Sequence, residues 1–456
     1  MRSRIERQWD EDIVPQLVDY IRIPAKSPHF DPEWRKNGHI EAAVQQARKW
    51  VEAQRVEGLK LELVRLEGRT PVLYFDVPAR GKGASARSIL LYGHLDKQPE
   101  MTGWREGFGP WIPVLEDGRL YGRGGADDGY AVFAAIAAIK AIDAEGVPRP
   151  RCIGLIETCE ESGSYDLPAY LDALAPRMGD VGLVIALDSG AGNYDQLWVT
   201  TSLRGLVNGT LRVDVLTEGV HSGDAGGVVP SSFRIVQELI DRIGKSGAFA
   251  CEVPRDRAAQ ATQAADILRD TLWKRFPLVG SPVTKDPLEL ILNRTWRPAL
   301  EVTGAEGLPH PASAGNVHRP FTTLKLSLRL PPLVDGATAA RALKQLLECD
   351  PPCQATVRFE YDSASTGWNA PSTEPWLAQA IDAASKELWD RPAAYMGEGG
   401  TIPFMSMLNV KFPRAQLLVT GVLGPKSNAH GPNEFIDIGY AKRVTAATAR
   451  VIVSLP

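Results

Sequence analysis

The sequence predicts an α/β protein: a mixed, mostly parallel sheet sandwiched by helices, with a small α+β domain inserted into it. Three observations predict this. Short, wholly apolar runs alternate with helical segments up to residue 203. From residue 204 the runs change to strict period-two alternation, the mark of a sheet with one solvated face. From residue 369 the first pattern resumes, so 204–368 reads as an insertion between catalytic segments 1–203 and 369–456.

The elements follow in order. Residues 10–22 and 39–57 have the spacing of amphipathic helices. "LELVRLE" and "PVLYFDV" are strands, and "SILLYGH" is a buried strand ending at His94. "DDGYAVFAAIAAIKAIDAEG" is an Ala-rich buried helix stopped by Gly146 and Pro148. "CIGLIETCEE" runs as a strand into Glu160 and Glu161, and "VGLVIALDSG" as another into Asp188. In the insertion, "GLVNGTLRVDV" alternates and "PSSFRIVQELIDRI" is helical, with Ser231 as its N-cap. "TTLKLSLRL" places Leu324, Leu326, Leu328 and Leu330 on one face, and Lys325, Ser327 and Arg329 on the other. "ATAARALKQLLE" is a helix and "TVRFEYD" a strand; "AQLLVTG" then belongs to the resumed first pattern.

Bulk properties exclude several classes. At 456 residues the chain allows two or three domains, at roughly 150 each. With 44% hydrophobic and 23% charged residues it is ordinary soluble material. A net charge of −4 offers no footprint for nucleic acid. No run of apolar residues is long enough to span a membrane, and the charged N-terminus has no signal-like apolar core. The five cysteines form no disulfide framework and no paired zinc knuckle, which predicts a reduced, cytoplasmic protein.

The polar residues at the strand ends carry the chemistry. His94, the Glu160/Glu161 pair and Asp188 each follow a predicted strand, at the edge where open α/β sheets bind ligands. Asp127 lies in the Gly-rich turn "GRGGADDGYA", and His430 in the loop "NAHGPNE". Singly, each has a plain explanation. Asp127 could be a carboxylate favoured by a helix dipole, and the glutamate pair a solvated loop. Together they have the composition of a metal site. There are more candidates than one ion needs, so two ions sharing a carboxylate are expected, as in co-catalytic pairs. Asp96, two residues after His94, would then accept the second ring N–H of a ligating histidine.

The ordered set "YGHLDKQPE", "GRGGADDG", "ETCEESGS", "IALDSG", "GVHSGDAGG", "MGEGGTIP" and "NAHGPNE" resembles the dinuclear zinc exopeptidases. That family includes carnosinase-type dipeptidases, glutamate carboxypeptidase, succinyl-diaminopimelate desuccinylase and aminoacylase; the dipeptidase branch is the most similar. The resemblance implies two divalent ions per chain, zinc by expectation, with manganese or cobalt as alternatives. It implies His94 and Asp188 on one ion, Glu161 and His430 on the other, and Asp127 bridging across a cis Asp127–Asp128 peptide. Glu160 would be the general base, with Asp96 supporting His94. The insertion would be a ferredoxin-like lid and dimerisation domain. His221, within it, would reach the partner subunit's site of a homodimer. Asn316, Arg329, Gly400 and Thr401 would hold the substrate and its terminal carboxylate.

The resemblance therefore implies hydrolysis of an amide bond beside a free carboxylate in a small peptide. An N-acyl-amino-acid amidohydrolase would use the same parts, and a substrate panel separates the two. A non-catalytic binding protein should have lost Glu160 or a ligand, and none is lost. Three positions depart from the pattern. Asp128-Gly129-Tyr130 stands where lysine is usual after the bridging aspartate. Ser327 replaces an acidic residue, and Gly190 a tyrosine, both near the expected substrate pocket.

Overall fold

The computed structural model describes residues 1–456, apart from the side chain of Pro403. A six-stranded sheet forms the centre, in the order Lys60–Val64, Val72–Val77, Cys152–Glu157, Ser88–His94, Val181–Ala186, Gln416–Val419. The first two pairings are antiparallel and the other three parallel. Every residue of Ser88–His94, Cys152–Glu157 and Val181–Ala186 is buried, which explains why these strands read as continuous apolar runs.

Alternate residues feed two cores. Leu73, Phe75, Ile89 and Leu91 face the helix Tyr130–Glu145 and the C-terminal helix Ile438–Ile452. Tyr74, Leu90, Tyr92 and Leu155 face the helices Leu167–Met178 and Pro403–Lys411. This period-two partition fixes the strand register, because a one-residue slip would exchange the two faces. The N-terminal helix is longer than expected: it begins at Arg2 and runs through a wide turn at Trp9–Ile13 to Ile21.

The second sheet has four antiparallel strands, in the order Ala299–Glu306, Phe321–Leu330, Gly205–Asp214, Thr356–Ser365. Taken in chain order with the helices Ser232–Ser246 and Gly336–Glu348, this is a ferredoxin-like arrangement. Leu324, Leu326, Leu328 and Leu330 are buried against those helices. Ala299–Glu306 forms an exposed edge.

The chain between these elements includes helices that the sequence pattern did not announce. Arg255–Leu268 and Pro287–Thr295 leave the second sheet and pack beside the strand Ala394–Glu398. Ala261, Ala264, Ala265 and Ile291 thereby join the first core. Ala394–Glu398 pairs in parallel with Trp198–Leu203, which is the short sheet linking both halves.

Candidate metal centre

Parallel strands in register bring their carboxyl ends to one line. His94 pairs directly with Glu157, and Tyr92 with Ala186. His94 is therefore the last residue of its strand, while Glu160 and Glu161 open a tight turn after theirs and Asp188 lies two residues beyond its own. Gly93 is required in front of His94: a Cβ there would sit 2.7 Å from the Ala131 methyl and 2.8 Å from an Asp128 oxygen. That close approach brings the turn Gly125–Gly129, with Asp127, against the strand end. The Asp127–Asp128 peptide is cis.

Asp127 lies between two groups of ligand atoms. Its Oδ1 is 3.3 Å from His94 Nε2, and its Oδ2 is 2.9 Å from His430 Nε2. His94 Nε2 also lies 3.8 Å from Asp188 Oδ2 and 3.9 Å from Glu160 Oε2. His430 Nε2 lies 3.4 Å from Glu161 Oε2. His94, Asp127 and Asp188 form one triad, and Asp127, Glu161 and His430 the other, each with its ligand atoms within 4.8 Å of one another.

These separations fit divalent cations. Bonds of about 2.0–2.1 Å at tetrahedral angles place ligand atoms about 3.3 Å apart. His94 Nε2 is buried and has no hydrogen-bond partner among the described residues, although three carboxylates surround it. A buried polar atom left in this way needs an electrophile. The mixed imidazole and carboxylate donors suit zinc, and also manganese or cobalt.

The electrostatics agree. Burial, with the Asp127 charge adding to it, pushes Glu161 up to about 8. Burial also lifts Asp188 to about 7, with Asp127 again adding to it against the pull of His94. Glu160 is raised well above the usual carboxylate range, by burial first and the Asp188 charge second. Asp127 moves the other way, because the two histidines outweigh its burial. So many carboxylates in one buried space are stable together only with protons or metal ions among them.

Asp96 is fully buried, and its carboxylate is engaged differently from the expectation, the histidine ring meeting its main-chain oxygen. His94 Nδ1 is 3.1 Å from the main-chain oxygen of Asp96 and 3.5 Å from its carboxylate. The carboxylate itself accepts hydrogen bonds from the main-chain N–H of Glu160 (3.1 Å) and Glu161 (3.0 Å). One side chain thus ties the histidine strand to the glutamate turn.

Three further residues support the site without having been assigned a role from sequence, although each lies in or beside a quoted motif. Gln98 donates to Glu161 Oε2 at 2.6 Å. Arg123 and Glu434 form a fully buried ion pair. Arg123 also donates to the main-chain oxygens of His430 and Gly431, at 2.9 and 3.0 Å. Glu434 accepts from the Gly124 N–H at 2.8 Å. This pair fastens the loop of His430, whose backbone has a φ of +65°, to the turn that carries Asp127.

The triads open into a cleft of about 380 Å³ lined by Glu160, Asp188, Gly400, Thr401 and His430, among others. Thr401 Oγ1 donates to the Arg204 main chain at 2.6 Å and accepts from Arg329 Nη1 at 3.1 Å, so Arg329 stands behind Thr401. His221 and Asn316 are not in the cleft. They lie together on an exposed two-stranded ribbon, where the Ser222 N–H donates to the Asn316 carbonyl at 3.0 Å.

Comparison with known proteins gives a consistent picture. Residues 90–454 match the sequence profile of peptidase family M20/M25/M40. The chain is 28% identical over 442 residues to a cysteinylglycine-S-conjugate dipeptidase of Corynebacterium striatum, covering 94% of this chain and 92% of that one. Its fold is similar to human carnosine dipeptidase 1, with a TM-score of 0.77 at 19% identity over 100% of this chain and 98% of the other. It is also similar to an M20-family metallo-carboxypeptidase of Sulfolobus solfataricus, with a TM-score of 0.76 at 20% identity over 98% of this chain and 100% of the other. No described helix is long and apolar enough to cross a membrane.

Proposed function

The chain belongs to peptidase family M20/M25/M40 and is a metal-dependent peptidase; we propose that it is a dinuclear hydrolase of dipeptide-sized substrates, cutting the amide bond next to a free carboxylate. The observation that carries this reading is Asp127, one carboxylate with an oxygen in each of two ligand triads and Glu160 beside them. His94 and Asp188 would hold one ion, Glu161 and His430 the other, and Asp127 both. Zinc is the expected ion. Bound there, the ions would supply Lewis acidity to the scissile carbonyl and to the attacking water.

The chain's own residues do the rest. Glu160 takes a proton from the water on its carboxylate and passes it to the leaving nitrogen. Burial, which raises its proton affinity, suits a group that must hold the proton between the two steps. Arg329, with Thr401 and Gly400, would receive the substrate's terminal carboxylate, to which a planar guanidinium is matched.

His221 and Asn316 would serve the partner subunit's site in a homodimer, with residues 204–368 as the lid and dimerisation part. The exposed edge Ala299–Glu306 supports this, since an unpaired edge strand is a natural two-fold contact. The nearly full-length similarity to a dipeptidase favours peptides over N-acyl amino acids as the first substrates to test.

The test is a panel of dipeptides and N-acyl amino acids, assayed before and after exhaustive chelation and after metal is restored. Hydrolysis that is abolished by chelation and recovered with about two metal ions per chain is expected. Full activity in the chelated protein would overturn the proposal.

A further inference from the structure

The chain passes between the first core and the second sheet at residue 204, at 247–254, at 296–298 and at 366–367. The first and last passages touch main chain to main chain, with Leu203 paired to Trp368. A Cβ at Gly205 would lie 2.6 Å from the Ser365 carbonyl oxygen, and one at Gly367 would lie 2.4 Å from that of Leu203. Backbone cannot give way, so both positions require glycine.

Two buried arginines tie these passages in pairs. Arg257 joins the second to the fourth: its Nε donates to Asn369 Oδ1 at 2.7 Å and its Nη2 to the Ala370 carbonyl at 2.6 Å. Arg204 joins the first to the third: its Nη1 donates to the Asn293 carbonyl at 3.3 Å and to the Arg297 carbonyl at 3.5 Å.

Arg204 does more, because it also holds the loop at the cleft. Its N–H donates to the Gly400 carbonyl at 3.1 Å and its Nε to the Gly399 carbonyl at 3.1 Å. Its own carbonyl accepts from Thr401 Oγ1 at 2.6 Å. Consecutive loop residues thus hang on one residue of the junction. Gly399 leaves room for this, since a Cβ there would lie 3.1 Å from Arg204 Nη2. Gly400 and Thr401 line the cleft, and Arg204 stands behind them. The Thr401 hydroxyl also accepts from Arg329, which lies opposite Leu206 on the neighbouring strand of the second sheet. Rotation of that sheet about the passages must therefore break these bonds or drag the loop with it. The acceptors of Arg204 are spread over main-chain carbonyls, which a planar fork can span and a single ammonium cannot.

We propose that Arg204 is a positioning residue for substrate binding: it couples the angle of the second sheet to the loop Gly399–Thr401, which takes its substrate-holding form only while the junction is clamped. This rests on the reading above, in which that loop and Arg329 receive the terminal carboxylate. Arg204 then acts through Thr401 and Gly400 on binding. Its hydrogen bonds do not reach Glu160 or a metal ligand, so the chemical step is left alone.

The test uses the metal-loaded full chain with Ala-Gly and its C-terminal amide. Arg204→Met and Arg204→Lys should raise KM for Ala-Gly by about tenfold or more, with kcat and the KM of the amide moved less than about threefold. Arg204→Lys keeps the buried charge should Arg204→Met not fold. Arg257→Met loosens the same junction without touching the loop, so it should lower stability while leaving the ratio of the two KM values within about threefold of wild type. In Arg204→Met/Arg329→Ala the two KM effects should not multiply, because both residues act on one loop. Equal KM increases for acid and amide, multiplying effects, or the same ratio change in Arg257→Met overturn the proposal.

Hydrogen exchange gives a readout without turnover. The N–H of residue 204, bonded to Gly400, should exchange about tenfold faster in Arg204→Lys, while the Gly163 and Ser164 N–H groups of the catalytic turn stay unchanged. If wild type does not cut Ala-Gly but this pattern holds, the clamp stands and the peptidase reading falls. No acceleration at 204, or equal acceleration at both places, removes the clamp.

Discussion

Replacing Asp96 tests whether the centre is built as described. Its two carboxylate oxygens accept from the Glu160 and Glu161 N–H groups, and the side chain is fully buried. Asp96→Ala leaves both donors without their partner. Each unsatisfied buried donor costs about 1–3 kcal/mol, so the loss should be about 2–6 kcal/mol, with the lower end if water fills the space. Asp96→Asn keeps one acceptor and turns an NH₂ toward the other donor, so about 1–3 kcal/mol is expected. Denaturant unfolding of the metal-free variants measures this without any contribution from bound metal. Metal affinity and kcat should fall as well, by about 10–100-fold in Asp96→Ala, because base and ligand both hang from this carboxylate. An Asp96→Ala protein within about 1 kcal/mol of wild type, with kcat intact, would refute the reasoning. The turn would then be held by its own main-chain bonds, from Gly163 to Glu160 at 2.7 Å and from Ser164 to Cys159 at 2.9 Å.

Other outcomes follow from the same geometry. Glu160→Gln should lower kcat by about 10²–10⁴-fold with both metals retained, whereas Glu161→Ala should lose one metal by elemental analysis; the reverse would exchange the two roles. Arg329→Ala should raise KM for substrates with a free terminal carboxylate far more than for their amides, and equal effects would make the arginine structural. Mixing His221→Ala and Glu160→Ala chains under subunit exchange should restore up to about a quarter of wild-type activity, since half the dimers are mixed and hold one good site each; no recovery with exchange proven would place His221 elsewhere. Metal-free protein should lose stability as pH rises from about 5 to about 8: Asp188 at about 7 and Glu161 at about 8 hold protons that the unfolded chain has released, His430 at about 10 does the same above about pH 6.5, and denaturation with and without zinc checks this.

What was legible in the sequence had a side-chain signature. Buried strands in register must end together, so apolar runs stopping at His94, before Glu160 and before Asp188 located the edge where the triads form. The leucine stripe from 324 to 330 marked the covered face of the second sheet. The helix Arg255–Leu268 was invisible for the opposite reason. Its buried apolar residues are Ala261, Ala264, Ala265 and, at its end, Leu268; the alanines allow close approach but give little hydrophobic signal. Its buried Arg257 is satisfied by Asn369 and by the Ala370 carbonyl, which no local pattern predicts. The full role of Asp96 was hidden too, because its partners are main-chain N–H groups.

The charges in the cleft tie the metal centre to the choice of substrate. Asp127, Asp188, Glu160 and Glu161 crowd its floor, and two divalent ions would cancel them. Arg204, Arg275, Arg294 and Arg329 stand along or behind its wall, opposed among themselves only by Glu398. An occupied centre therefore leaves a cleft that is cationic overall and partly shielded from water, where an unmatched charge is expensive. The terminal carboxylate proposed to reach Arg329 would answer part of that charge, which is why removing it from the substrate should weaken binding before it touches the chemistry at the metals.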